Sequence, residues 1–246
     1  MAVAAKRTKT IMARRLDLIQ GTIRSISTVG YNNSTVQSIC DAAGLSRGLI
    51  GHYFKGKDDL LLEAFRFLVA QAEEHTRQSI RAVGNDPLQR LLAASDAAFS
   101  RMGKDDGDDP YEDSRGLVWL ACWGVSPWVP EMKSLQAKLW RRYRHWIERT
   151  MIQAADERGV KVDARRASIM YSELINGLWI GWMLDNDAYT PEMAAGIVRD
   201  WVLDLFGEER SSRKLAGNGG KPASAKTKLK TPKANSNGRK VSSRKS

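Results

Sequence analysis

Cysteine is scarce in this chain: only Cys40 and Cys122 occur among 246 residues. Each lies among apolar residues at helical spacing, so we expect two buried free thiols rather than a disulfide framework. This cysteine usage is typical of proteins in a reducing compartment and predicts a cytoplasmic location.

Residues typical of catalytic centres are also few. The three histidines, His52, His75 and His145, lie apart from any Ser-Asp or metal-ligand pattern, and no glycine-rich phosphate loop is present. The acidic stretch from Gly103 to Pro110 lacks the spacing of a calcium loop. The sequence therefore predicts a protein that is not an enzyme and that holds neither a metal nor a cofactor.

Long hydrophobic runs are absent. The longest, LINGLWIGWML from Leu174 to Leu184, is well short of the roughly 18 residues that a membrane span requires. No apolar stretch of the kind found in signal peptides follows the first basic residues. We expect a soluble protein without a membrane partner.

Acidic residues are missing from the end of the chain, where twelve lysines and arginines follow from Arg210 onward. Because the whole chain carries +11, the part before Arg210 sums to −1. Within that part, residues 1–55 carry +6 and residues 56–209 carry −7. A basic N-terminal module beside an acidic body is typical of a DNA-binding head with a separate regulatory body.

The stretch from Ser34 to Leu61 has the pattern of two short helices joined by a tight turn. The first begins behind an N-cap at Ser34 or Thr35 and ends at Gly44, since glycine adopts the left-handed conformation at little cost. The apolar positions at helical spacing are Val36, Ile39, Cys40 and Ala43 in the first helix, and Leu49, Ile50, Tyr53 and Phe54 in the second. An amphipathic helix from Met12 to Ile26 precedes them. Together these segments predict a three-helix domain that contains a helix-turn-helix.

The outward face of the second helix carries small or hydrogen-bonding residues, which suits close approach to DNA. Arg47 is placed to bind a guanine in the major groove, the commonest specific base contact. The other expected contacts to the groove are Ser46, Gly48 and His52, and the expected phosphate contacts are Thr35, Tyr53, Lys55 and Lys57. The alternative is an ordinary corner between two helices with a solvated basic face.

The string TVQSICDAAGLSRGLIGHYFKGKDDLL resembles the DNA-binding signature of the TetR family of bacterial repressors. Within that family it looks most like the BetI type, which responds to choline, because residues 48–54 read GLIGHYF. The body segments WLACW and LINGLWI are similar to those of the same type. The resemblance implies a two-fold dimer, paired through the last two helices, that reads a palindromic operator and is released by a small molecule.

Seven of the eight tryptophans lie between residues 111 and 185. Tryptophan offers the best aromatic face for a quaternary ammonium, so these residues would suit a choline-like effector. The expected ligand contacts are Trp119, Trp123, Tyr143, Trp146, Glu173 and Trp179. Glu173 is the first choice of carboxylate, ahead of Asp96, Glu112 and Asp113. The alternative is that the tryptophans form core or dimer interface.

We therefore predict an all-α chain with three parts. Residues 1–56 form the helix-turn-helix domain, residues 57–207 form a helical ligand-binding and dimerisation domain, and residues 208–246 form a disordered basic tail. The predicted partners are double-stranded operator DNA, a small-molecule effector and a second copy of the chain. Two alternatives stay open: a TetR-type regulator that senses an unrelated hydrophobic or aromatic compound, and a nucleoid-associated protein that coats DNA through its tail.

Overall fold

The first four helices of the computed structural model place the basic N-terminal segment against the start of the body. The model describes the backbone of residues 2–103 and 115–208, and the side chains of these residues from Ile11 onward. The acidic stretch after Gly103 and the predicted basic tail beyond residue 208 lie outside the described residues. Every regular element in the described ranges is helical, which confirms the all-α prediction. The α-helices are α1 (Ala2–Asn33), α2 (Val36–Ala43), α3 (Ile50–Tyr53), α4 (Lys57–Ala82), α5 (Pro87–Phe99), α6 (Arg115–Val125), α7 (Pro130–Arg158), α8 (Ala164–Leu184) and α9 (Pro191–Phe206).

Helix α2 begins and ends where the sequence predicts. The Thr35 hydroxyl accepts a hydrogen bond from the Ser38 backbone N–H at 3.1 Å, and the Ser38 hydroxyl oxygen accepts one from the Thr35 N–H at 2.9 Å. Gly44 ends the helix with φ of 66°, a conformation in which a side chain would be strained. Local hydrogen bonds thus fix both ends of α2, the first helix of the helix-turn-helix.

The second helix is shorter than expected. A single 3₁₀ turn, Arg47–Leu49, leads into the four residues of α3, and Phe54 is already extended with φ of −141°. Gly48 and Gly51 explain the weak helix, because glycine lowers helix stability by roughly 1 kcal/mol relative to alanine. Packing of Ile50 and Phe54 into the core holds the segment in place.

Helices α1 and α2 pack closely because Gly21 has no side chain. A Cβ at this position would lie 2.7 Å from the Ala43 Cβ and 2.8 Å from the Ile39 carbonyl oxygen. The Arg24 guanidinium fixes the same contact by donating to the Ala42 carbonyl at the end of α2, with N–O distances of 2.6 and 3.1 Å. The orientation of α2 on α1 therefore depends on a glycine and an arginine one turn apart.

Gly21→Ala is expected to lower the free energy of unfolding by about 1–3 kcal/mol, because the Ala43 Cβ and backbone atoms of α2, and not flexible side-chain ends, oppose the new methyl group. Urea unfolding followed by circular dichroism measures the change. Gly124→Ala is the matched control, since nothing lies within 4 Å of a Cβ there. That variant should be neutral or stabilising; equal losses in both would contradict the packing argument.

Two clusters of buried residues form the core. The head cluster joins α1 to α4 and extends into the body through Val118 and Cys122 of α6 and Met132 of α7. Burial raises the pKa of the Cys122 thiol to about 12, so this buried free thiol stays protonated. The predicted domain boundary at residue 56 falls between α3 and α4, whereas side-chain packing continues across it.

The body cluster is built from α5, α7, α8 and α9. At its centre the hydroxyl of fully buried Tyr171 donates to the Leu91 carbonyl at 2.7 Å, which ties α8 to α5. At its edge Asp86 caps α5 and accepts two hydrogen bonds of 3.1 and 3.2 Å from the Arg158 guanidinium at the end of α7. These contacts fix the helices that enclose the cavity described below.

Asp86 is expected to make stability depend on pH in the acid range. Burial disfavours the Asp86 carboxylate, but the N–H groups of Gln89 and Leu88 and the Arg158 guanidinium outweigh it and hold the pKa of Asp86 below its ordinary value. The stabilisation is therefore complete above the unfolded-state pKa of about 3.9 and is lost as pH falls through the lower folded-state pKa. Urea midpoints of the wild type and Asp86→Asn should differ by a constant amount above about pH 5 and converge below about pH 4. A difference that stays constant throughout would contradict this assignment.

None of the helices in the described ranges is both long enough and apolar enough to cross a bilayer.

Candidate nucleic-acid interface and candidate ligand cavity

The outer face of the 3₁₀ turn and α3 is exposed and carries the Arg47 guanidinium. Ser46, Arg47, Gly48 and His52 are all exposed, and no carboxylate among the described residues pairs with the Arg47 guanidinium. A Cβ at Gly48 or Gly51 would meet nothing within 4 Å. Packing inside the protein therefore does not require these glycines, whereas a large surface that approaches from outside would.

The predicted phosphate contacts divide into two groups. Thr35 and Lys55 are exposed, and the Thr35 hydroxyl, an acceptor in the helix cap, keeps its hydrogen free to donate. Tyr53 is half-buried against the head core. Lys57 is held inside the head: its ammonium donates to the Tyr31 carbonyl and lies 4.0 Å from the centroid of the Tyr31 ring. Lys57 therefore anchors the start of α4 on α1, and would have to release these contacts to reach a phosphate.

The body contains a cavity of about 720 Å³ between α4, α5, α6, α7 and α8. Five of the predicted ligand contacts line it: Trp119, Trp123, Tyr143, Trp146 and Trp179. Burial raises the pKa of the Tyr143 phenol above its usual range, so this group is a neutral hydroxyl.

Glu173, the predicted carboxylate, does not line this cavity. Its side chain is 56% exposed and lies 3.7 Å from the Arg144 guanidinium. Among the alternatives, Asp96 pairs with Arg199, and Glu112 and Asp113 lie outside the described residues. In the described part of the chain, the carboxylate that lines the cavity is instead that of Glu73 of α4, which pairs with Arg142.

Trp123 is the centre of the aromatic wall. Its ring centroid lies 6.2 Å from that of Trp119, 6.3 Å from that of Trp140 and 5.6 Å from that of Trp179. Tyr143 and Trp146 form a second, stacked pair with centroids 6.4 Å apart. The tryptophans thus contact one another as well as the cavity.

Sequence reasoning missed the contribution of α4 to this wall. Val69, Glu73, Thr76 and Ile80 recur at intervals of three and four, so one face of α4 follows the cavity. This spacing was visible in the sequence, but the polar residues within it conceal the stripe. Trp140 was also missed as a cavity residue.

The cavity is in direct contact with the head core. The ring of Trp119 meets that of Phe65 edge to face at a centroid distance of 4.9 Å and an angle of 80°. Phe65 is 1% exposed and belongs to the head cluster together with residues of α1 and α3. Phe65 also lines the cavity itself, so the cavity directly adjoins the core that positions the outer face of the head.

Two family profiles match this chain. "Bacterial regulatory proteins, tetR family" covers residues 18–64, and "BetI-type transcriptional repressor, C-terminal" covers residues 87–207. The chain belongs to the TetR family. It is a DNA-binding transcriptional regulator with a BetI-type C-terminal domain. Regulators of this family bind DNA as dimers and respond to small-molecule effectors.

Relatives of this TetR-family chain are themselves described as regulators. The HTH-type transcriptional regulator BetI of Serratia proteamaculans is 29% identical over 195 residues, which are 77% of this chain and 90% of the relative. The protein of the same name from Stenotrophomonas maltophilia is 28% identical over 193 residues, 77% of this chain and 91% of the relative.

Solved structures share the fold. A transcriptional regulator from Pseudomonas aeruginosa PAO1 superimposes with a TM-score of 0.67 at 29% identity, covering 80% of this chain and 91% of that one. A regulator from Saccharomonospora viridis, solved in complex with choline, has a TM-score of 0.66 at 24% identity and covers 76% of this chain and 94% of that one.

Proposed function

We propose that this chain is a homodimeric repressor that binds a palindromic operator and leaves it when a small molecule fills the body cavity. Ser46, Arg47, Gly48 and His52 read base edges, while Thr35, Tyr53 and Lys55 hold phosphates. The protein acts in the cytoplasm, where bacterial DNA lies. Residues 1–56 are the DNA-binding part, residues 57–207 bind effector and partner, and residues 208–246 form a basic tail.

The contact between Trp119 and Phe65 is the observation that carries this proposal. A ligand in the cavity touches Trp119, and Trp119 touches the Phe65 ring of the head core. Ligand binding and the position of the head therefore depend on the same ring contact. The effector acts by binding more tightly to the arrangement of heads that does not fit the operator. Operator and effector must then weaken each other's binding by the same factor.

Dimer formation is supported by apolar residues that α8 and α9 leave exposed. Ile169 and Met170 of α8 are 47% and 45% exposed, and Met193 and Ile197 of α9 are 52% and 45% exposed. Such neighbouring apolar residues on two adjacent helices suit a helix bundle with a second copy. A two-fold dimer places two recognition segments on one side of the duplex, as a palindrome requires.

The rings of the aromatic wall, considered alone, are compatible with two effector classes. A quaternary ammonium would use the ring faces through cation–π attraction, as choline in the S. viridis complex suggests. An apolar or aromatic compound unrelated to choline would use the same rings through hydrophobic contact.

Selection of bound duplexes from a random DNA library by the full-length protein tests the proposal. We expect a palindrome whose half-sites are separated by about one helical turn or a multiple of it. Enrichment without any common sequence would support the alternative of a DNA-coating protein that binds through its basic tail. Sedimentation of the free and DNA-bound protein tests the dimer in the same samples.

A further inference from the structure

The charged groups around the cavity are predominantly cationic. Among the described residues, four arginines line it against a single carboxylate, that of Glu73. Three of these guanidinium groups are at the exposed rim and Arg90 is half-buried; the four are Arg77, Arg81, Arg90 and Arg142. A wall of this composition attracts anions and opposes a ligand that carries only positive charge.

Two of these arginines have their charge balanced by the protein and two do not. Arg142 pairs with Glu73, and Arg77 pairs with Glu74. No carboxylate of the described residues lies within ion-pair distance of Arg81 or Arg90. Arg81 and Arg90 can therefore bind an anion from outside the chain.

Unpartnered polar atoms in the wall indicate the same kind of ligand. The Arg90 Nε, the Trp123 Nε1 and the Asn176 Nδ2 are buried and have no hydrogen-bond partner among the described residues. All three are nitrogen donors on residues that line the cavity. A buried donor without an acceptor is costly, so a ligand whose binding turns one of these side chains toward an acceptor is favoured over one that supplies none.

A small cation fits the cavity poorly in two further respects. Its volume of about 720 Å³ is in the range of sites that enclose drug-sized ligands, which far exceed choline in size. The Arg144 guanidinium also lies 5.7 Å from the centroid of the Trp140 ring, so a cation of the protein already occupies one aromatic face.

We infer that the effector is an amphipathic organic carboxylate. Its carboxylate is bound at Arg90, with Arg81 nearer the rim, and its apolar body lies against the tryptophans around Trp123. This inference rests on the proposed function, since it names the class of effector that the cavity takes.

Three ten-carbon probes with different head groups test the inference on the full-length protein: decanoate, decyltrimethylammonium and decanol. Tryptophan fluorescence and calorimetry measure binding below the micelle concentration of each probe. We expect decanoate to bind at least tenfold more tightly than decyltrimethylammonium, with decanol between them. Equal or tighter binding of decyltrimethylammonium, saturable binding of choline without decanoate, or binding of none of the three would overturn the inference.

Arg90→Gln isolates the head-group contact. This variant should lose at least tenfold in decanoate affinity and retain its affinity for decanol, which also reports that the cavity is intact. Arg149→Gln is the matched control, because Arg149 is exposed and does not line the cavity. If both variants bind decanoate like the wild type, or lose it equally, Arg90 does not hold the carboxylate.

A titration of the selected operator separates the two proposals. If decanoate binds with the expected preference but leaves operator affinity unchanged, the proposed function fails at the coupling step while the ligand class stands. If decyltrimethylammonium releases the operator and decanoate does not, the regulator stands and the ligand class fails.

Discussion

Arg47→Ala is expected to abolish sequence-specific operator binding, the largest functional effect of any single substitution we consider. A bidentate contact between an arginine and a guanine contributes about 1–3 kcal/mol of discrimination, and a dimer contains two copies, so about 2–6 kcal/mol should be lost. The exposed Arg47 guanidinium has no carboxylate partner in the described part of the chain, so its removal should leave the fold intact. Fluorescence anisotropy with the selected duplex and with a scrambled duplex measures both affinities.

Lys55→Ala is the matched comparison for this experiment. Lys55 is exposed beside the same surface and is assigned to a phosphate, so its loss should weaken both duplexes by a similar factor and reduce the salt dependence of binding. If Arg47→Ala weakens both duplexes alike, as Lys55→Ala should, then Arg47 contacts phosphate and another residue reads the sequence.

Phe65→Ala is expected to cause the largest loss of stability, about 3–5 kcal/mol, because truncation of a buried phenylalanine leaves a void. The ring is 1% exposed and lies between the head core and Trp119. Urea unfolding monitored by circular dichroism measures the loss, and tryptophan emission should report it at the same denaturant concentration if head and body unfold together. A loss below about 1 kcal/mol would show that the ring is not part of a well-packed contact.

Phe65→Leu separates the contribution of Phe65 to core packing from its contribution to the effect of ligand on operator affinity. Leucine preserves most of the buried apolar volume, so the variant should fold, but it removes the edge-to-face ring contact with Trp119. Coupling free energies between sites are typically 1–3 kcal/mol, and we expect this variant to bring the effect of ligand on operator affinity close to zero. Retention of full coupling would place the connection between cavity and head elsewhere, for example in the shared core residues of α6 and α7.

The helix-turn-helix could be predicted from sequence because its signals are local. An N-cap at Thr35 and a left-handed glycine at Gly44 fix α2 through hydrogen bonds within a few residues. The short length of α3 was harder to predict, because its glycines weaken the helix whereas packing of Ile50 and Phe54 into the core holds it in place. The internal role of Lys57 depends on Tyr31, which is 26 residues away, and local pattern does not report such contacts.

Helical geometry explains why Glu173 lies away from the cavity that Trp179 lines. Glu173 and Trp179 are six residues apart, which corresponds to about 600° of helical rotation and leaves them about 120° apart around α8. Asn176 is only three residues from Trp179 and lies at the cavity with it. Helical geometry alone therefore favours Asn176 as a cavity residue, whereas Glu73 of α4 depends on tertiary packing that the sequence does not display.

Helix α6 constrains how proteins with this architecture can acquire new effectors in evolution. Its cavity residues Trp119 and Trp123 alternate with Val118 and Cys122, which are fully buried in the head core. A substitution that reshapes the cavity from α6 thus also disturbs the packing of the head. Descendants of this protein should diversify their ligand preference through the cavity-lining positions of α5, α7 and α8 and keep the sequence of α6 nearly unchanged.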